Sequence, residues 1–106
     1  KICDIAAAPH FTYRDKDVFD MAFLEWDNTA RYREKATIYK GCTPPIFEKN
    51  FRRLVQKAEQ KPEGRRFVYI NAWNEWAEGT YLEPDEKNGY GYLEAVQRVM
   101  RERTQD

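Results

Sequence analysis

The spacing of apolar residues changes several times along the chain, and each change marks an element. Met21-Ala22-Phe23-Leu24-Glu25-Trp26 is a short, mostly apolar run that ends at the turn-prone Asp27-Asn28-Thr29. A run of that length bounded by turn residues predicts a strand feeding a loop. Residues 30–42 are polar, with a brief extended piece around Thr37-Ile38-Tyr39 that Gly41 ends. After Thr43 the period becomes helical. Phe47, Phe51, Leu54, Val55 and Ala58 fall on one face of a 3.6-residue helix. The Thr43 hydroxyl can cap that helix, and Pro44 suits its first position because a missing N–H costs nothing there. Arg52, Arg53, Lys57 and Lys61 lie towards its C-terminal half, where the helix dipole favours cations, and they read as a solvated face. Lys61-Pro62-Glu63-Gly64 stops the helix.

Phe67-Val68-Tyr69-Ile70-Asn71-Ala72-Trp73 is nearly continuous in apolar residues. The lack of alternation predicts a strand buried on both faces, as parallel strands under helices are. A second helix is expected from Tyr92 to about Arg103, with Leu93, Val96, Val99 and Met100 inward. The order strand, helix, strand, helix is that of an α/β chain with a parallel sheet. Residues 1–20 are less legible. Ile2, Cys3, Ile5 and Ala6–Ala8 suit a short strand or a helix end, Pro9 breaks any continuation, and Asp15-Lys16-Asp17 reads as a solvated turn. A strand buried on both faces needs neighbours on both edges, and two strands are too few. Either residues 1–20 add one, or sequence outside this chain completes the sheet. An opening at Lys1 rather than Met favours the second and suggests a slice of a larger barrel. Residues 1–106 are expected to be part of one domain, without a linker or internal repeat.

Composition narrows the function classes. The chain has 18 basic and 18 acidic side chains, 34% charged residues and a mean hydropathy of -0.92. A neutral total gives no electrostatic reason to favour nucleic acid or an anionic membrane. No run approaches the roughly 20 apolar residues of a membrane span, and no signal peptide is visible. The 15% aromatic content argues against disorder. Cys3 and Cys42 make neither a disulfide framework nor a metal site, and the lone His10 has no ligand partner in sequence. The expectation is therefore a cytoplasmic protein with two reduced thiols and no metal or other cofactor.

The chemistry concentrates in Asn71-Ala72-Trp73-Asn74-Glu75-Trp76-Ala77-Glu78-Gly79-Thr80-Tyr81-Leu82-Glu83-Pro84-Asp85. This stretch leaves the C-terminal end of a strand, where catalytic loops of parallel α/β folds gather. On a continuing strand, Glu75 and Glu78 would face opposite sides. In a helical turn, or a tight loop that Gly79 permits, they become neighbours. Two carboxyls in one small site suit glycoside cleavage, one giving a proton while the other stays ionised. Trp73 and Trp76 could then stack on sugar rings, and Asn74, Asn28 and Asp27 could bond hydroxyls. Glu83 fits a polar turn with Pro84 and could also contact ligand. The same two glutamates would equally fit a solvated helix face, and Trp73 alone would fit a core.

Trp73-Asn74-Glu75-Trp76-Ala77-Glu78-Gly79-Thr80, with Leu82-Glu83-Pro84-Asp85 and Gly89-Tyr90-Gly91-Tyr92-Leu93-Glu94-Ala95, closely resembles the C-terminal signature of WbsX-like proteins. Upstream, Trp26-Asp27-Asn28-Thr29-Ala30-Arg31 resembles that family's Trp-Asp-Asn-Thr-Pro-Arg loop, and Thr43-Pro44 with Phe47 fits its helix. The resemblance runs from about Phe19 to Val99. These proteins are labelled glycosyltransferases of polysaccharide biosynthesis and are related to glycoside hydrolase family 99, the endo-acting α-mannosidases and mannanases. The resemblance implies a (β/α)8 TIM-type barrel of which this chain supplies C-terminal βα units, incomplete in themselves. The missing N-terminal sequence would supply the rest, and an oligo- or polysaccharide would be the substrate. Carried over from the hydrolase branch, Glu78 would be the general acid/base. Glu75 would deprotonate the sugar 2-hydroxyl, giving an epoxide-like intermediate. Ala77 departs from the hydrolase branch, which has His there, and so loosens the link to mannosides. A glycosyltransferase of O-antigen or capsule assembly and a non-catalytic sugar-binding module remain the rival readings.

Overall fold

The computed structural model describes residues 19–103. The expectations for Ile2–Ala8, Pro9, His10, Asp15–Asp17 and Cys3 lie outside those residues. Among the described residues the chain is mixed α/β, with short strands and three α-helices. In order these are β1 (Asp20–Phe23), β2 (Trp26–Asp27), α1 (Thr29–Tyr32), β3 (Ile38–Tyr39), α2 (Pro44–Glu59), β4 (Val68–Asn71), β5 (Asn74–Glu75), β6 (Thr80–Tyr81) and α3 (Gly91–Arg103). Single 3₁₀ turns cover Arg33–Lys35 and Trp76–Glu78.

β1 and β4 pair in parallel, from Asp20 opposite Val68 to Phe23 opposite Asn71. The connection between them contains α2, the kind of crossover a parallel pair requires. β2 pairs antiparallel with β3, and β5 with β6. Among the described residues each sheet therefore has two strands.

α2 forms where the sequence spacing predicts it. The Thr43 hydroxyl accepts the Ile46 N–H at 3.4 Å, and Pro44 and Pro45 fill the first turn. Phe47, Phe51, Leu54, Val55 and Ala58 are all buried, and so is Asn50. Phe47 stacks flat on Phe51 at 5.5 Å and meets Tyr92 edge-on at 5.6 Å. Ala22 and Leu24 close this core from the β1 side, and Ala95 and Val99 from α3. Each fully buried Phe or Leu contributes about 1.5–3 kcal/mol relative to exposure.

Three expectations need correction. First, the basic residues of α2 are not all a solvated face. Arg52 donates to both Glu102 oxygens at 2.8 Å and to Glu48 at 3.1 Å, so it ties α2 to α3. Lys57 reaches Asp20 at 3.3 Å, with side chains only 15% and 13% exposed, and fastens the helix to β1. Second, the described residues cover only one face of β4. Val68 and Ile70 pack on the core, while Tyr69 between them stays exposed, because neighbours along a strand point to opposite faces. Third, Met100 is exposed. The buried line of α3 is Tyr92, Ala95 and Val99, flanked by Leu93 and Val96, and Met100 lies one 100° step beyond it. Among the described residues no helix is long and apolar enough to cross a membrane.

Candidate functional site

Because β1 and β4 run parallel with Phe23 beside Asn71, both motif segments leave the same edge of one sheet. Trp26-Asp27-Asn28 follows β1, and the segment from Ala72 to Asp85 follows β4. That edge is the carboxyl end of the strands, where α/β folds place their ligands.

Backbone bonds fold the second segment back on itself. The Asn71–Ala72 peptide is cis. The Leu82 N–H donates to Ala72 and Trp73 carbonyls at 3.0 Å, and Glu83 N–H to Trp73 at 3.2 Å. Thr80 is fully buried, and its hydroxyl donates to the Asn71 carbonyl at 2.6 Å. β5 and β6 then form a small hairpin in which Glu75 faces Thr80. Its tip is the 3₁₀ turn Trp76–Glu78, closed by Gly79 at φ +69° with its N–H on the Trp76 carbonyl. A left-handed residue here favours glycine.

Glu75 is the last residue of β5, just before this turn, and Glu78 ends the turn. Their environments differ sharply. Glu75 is exposed, whereas Glu78 is 6% exposed. Oε1 of Glu78 lies 3.7 Å from Nη2 of Arg31, whose side chain is 71% exposed. Oε2 is buried and has no hydrogen-bond partner among the described residues. A buried carboxylate oxygen left unpaired is costly, and such groups call for an explanation.

The aromatic residues are arranged as a platform. Trp76 stacks on Tyr81 at 3.6 Å and 12°, and its indole N–H donates to Glu83 Oε1 at 3.0 Å. One ring face is thus covered, yet Trp76 remains 48% exposed. The Tyr81 hydroxyl donates to Asp85 Oδ2 at 2.8 Å, which holds its ionisation above the ordinary phenol range. Asp85 Oδ1 in turn accepts the Asn88 N–H at 2.6 Å. Trp73 is 53% exposed, and Asn74 is exposed on β5 opposite Tyr81. Glu83, read in the sequence as a turn residue or ligand contact, steadies the Trp76 ring.

The upstream residues are engaged within their own loop. Trp26 pairs with Tyr39 in the β2–β3 ladder. Asp27 Oδ1 accepts both the N–H and the hydroxyl of Thr29, the first residue of α1. These bonds, with Lys40 at 3.8 Å, hold the half-buried Asp27 carboxyl below its usual range. Asn28 Oδ1 accepts the Thr37 N–H at 2.7 Å and bridges the loop. Arg31, Tyr81 and Thr80 stand inside the two motifs, but neither residue type nor spacing in the sequence points to their roles. Among the described residues no cluster of three or more His, Cys, Asp or Glu is placed to hold a metal ion.

No solved structure matches the chain. It is 42% identical over 88 residues to an uncharacterized protein, WxcX, of Xanthomonas campestris pv. campestris, found in two strains. The match covers 82% of this chain and 13% of each relative, so the chain spans only a small part of their length. With both motif loops inside a match to Glycosyltransferase WbsX over residues 4–96, the chain belongs to the WbsX glycosyltransferase family.

Proposed function

We propose that this chain carries the acid/base pair of a carbohydrate-active enzyme that cleaves or transfers glycosidic bonds in an oligo- or polysaccharide. The buried Glu78 with its unpaired Oε2, in the same hairpin as the exposed Glu75 and the Trp76 platform, is the observation that supports this reading. Two carboxyls in unlike environments suit unlike tasks. Glu78 gives its proton to the leaving glycosidic oxygen. Glu75 takes the proton of the sugar 2-hydroxyl, whose oxygen closes on the anomeric carbon as the leaving bond breaks. Water, or an acceptor hydroxyl in transfer, then opens the resulting epoxide from the leaving-group side. Glu78 accepts the incoming proton, Glu75 returns its own, and configuration is retained. This is the family 99-like route, distinct from the usual covalent glycosyl-enzyme. Neither proton transfer is routed through a metal. The exposed outer face of Trp76, with Trp73 and Asn74, would receive the sugar rings. Trp26, Asp27, Asn28 and Glu83 would shape its surroundings.

We propose further that β1 and β4 are neighbouring strands of a (β/α)8 barrel completed by sequence outside this chain. Neither strand has a second neighbour among the described residues, and Tyr69 on β4 stays 58% exposed there with Phe19 edge-on against it. A complete barrel takes roughly 250 residues.

The test uses the full-length protein and its Glu78→Gln and Glu75→Gln variants. Reducing ends released from yeast α-mannan and from bacterial polysaccharides report hydrolysis, and GDP released from GDP-mannose reports transfer. Each variant is expected to lose about 100-fold or more in turnover, with polysaccharide binding kept. Full turnover in Glu78→Gln would overturn the assignment. Binding without turnover in the wild type would favour a sugar-binding module.

A further inference from the structure

The structure assigns Arg31 as the positioning residue of Glu78, presented to it by the loop that follows β1. The inference rests on the reading of Glu78 as a reacting carboxyl. Two observations carry it. Arg31 Nη2 is 3.7 Å from Oε1 of a carboxylate that is otherwise buried, and Oε2 of that carboxylate has no partner among the described residues. An ion pair at one oxygen selects a rotamer and leaves the other oxygen for a reacting atom.

The upstream motif then acquires a mechanical sense. Asp27 holds the first residue of α1 through the Thr29 N–H and hydroxyl, and Asn28 anchors the loop to Thr37 at 2.7 Å. The Arg31 N–H closes on the Asn28 carbonyl at 3.0 Å. Asp27, Asn28 and Thr29 thus fix the backbone of the four-residue helix that carries Arg31. A helix this short does not hold itself together without such help. Arg31 is largely exposed, so its part is orientation rather than a large electrostatic contribution.

The experiment needs no known substrate. The full-length protein is treated with a water-soluble carbodiimide and glycine ethyl ester, and labelling of Glu78 and Glu75 is followed by peptide mass spectrometry. In the wild type Glu78 is expected to label slowly and Glu75 fast. In Arg31→Ala, Glu78 is expected to label roughly two- to fivefold faster, the population change an exposed ion pair controls. Glu75 is expected to stay unchanged and Arg31→Lys to restore slow labelling. Arg31→Gln, which keeps most of the aliphatic stem, replaces Arg31→Ala should that variant not fold. Equal Glu78 labelling in the wild type and both neutral variants would overturn the assignment, whatever the turnover. A faster-labelling Arg31→Ala beside a fully active Glu78→Gln would uphold the pairing and overturn the catalytic reading of Glu78 instead.

Discussion

Replacing Glu78 by Met is expected to raise stability while abolishing turnover. Met is unbranched and close to Glu in length, so it can occupy the same space without a charge. The carboxylate gains little where it sits. Two unit charges 3.7 Å apart attract by about 1 kcal/mol in a water-like dielectric. The 71% exposure of Arg31 keeps screening near that limit, and exposed pairs measure about 0–1 kcal/mol. Against this stands the buried Oε2, unpaired among the described residues. Leaving such a group without a partner costs about 1–3 kcal/mol, and more when it is charged. The balance predicts a gain of about 1–2 kcal/mol, a Tm rise of roughly 2–8 °C for a barrel-sized domain. Thermal melts followed by tryptophan fluorescence provide the assay, since Trp73 and Trp76 lie in the same hairpin region as Glu78. Glu78→Gln should gain less, because its amide remains unpaired. A fall in Tm for Glu78→Met would refute the reasoning. Glu78 would then be a structural residue, and its burial would say nothing about chemistry.

Two further outcomes follow from the packing between α2 and α3. Gly91→Ala should destabilise by about 1–3 kcal/mol, as overpacking does, because its Cβ would lie 2.8 Å from Pro44 Cγ and 3.3 Å from Pro44 Cβ; an unchanged or higher Tm would mean the Pro44 contact yields freely. Hydrogen bonds from Arg98 and then Arg52 outweigh burial and hold Glu48 below its ordinary carboxylate value of 4.5. A carboxyl depressed in the folded state adds stability that is present above its unfolded value and is lost as pH falls through the folded one. Wild-type Tm should therefore start to drop below about pH 4.5, with Glu48→Gln less stable at neutral pH and flatter on acidification; parallel profiles would refute the linkage.

The helices were legible because burial follows period. Phe47, Phe51, Leu54, Val55 and Ala58 all face the core that their spacing implies. Asn50 lies on that same buried face yet could not be foreseen, because a polar residue leaves no mark in an apolar pattern. Both its side-chain polar atoms lack partners among the described residues. The apolar run at Phe67–Trp73 marked a strand correctly but overstated its cover, since composition carries no information about what lies opposite Tyr69. In the loop, the turn around Glu78 was readable from Gly79 and the three-residue spacing. Its burial was not, because two glutamates three apart look the same on a solvated helix. The contact with Arg31 joins segments distant in sequence, so no local pattern announces it. The same is true of the Tyr81 ring beneath Trp76, where alternation along a two-residue strand is too short to read.

The parallel pairing of β1 and β4 also sorts the connections by what they can tolerate. The turn from Lys61 to Arg66 enters β4 at its amino end, opposite the edge from which both motif loops emerge. Four strand residues separate the two ends by roughly 13 Å. Pro62, Glu63 and Gly64 are exposed, and Gly64 turns the chain at φ +84°. A short epitope or a protease cleavage sequence inserted there would meet solvent rather than the hairpin that holds Glu75 and Glu78. That turn is the natural place for a handle, and a region where related chains can drift in length without touching the chemistry.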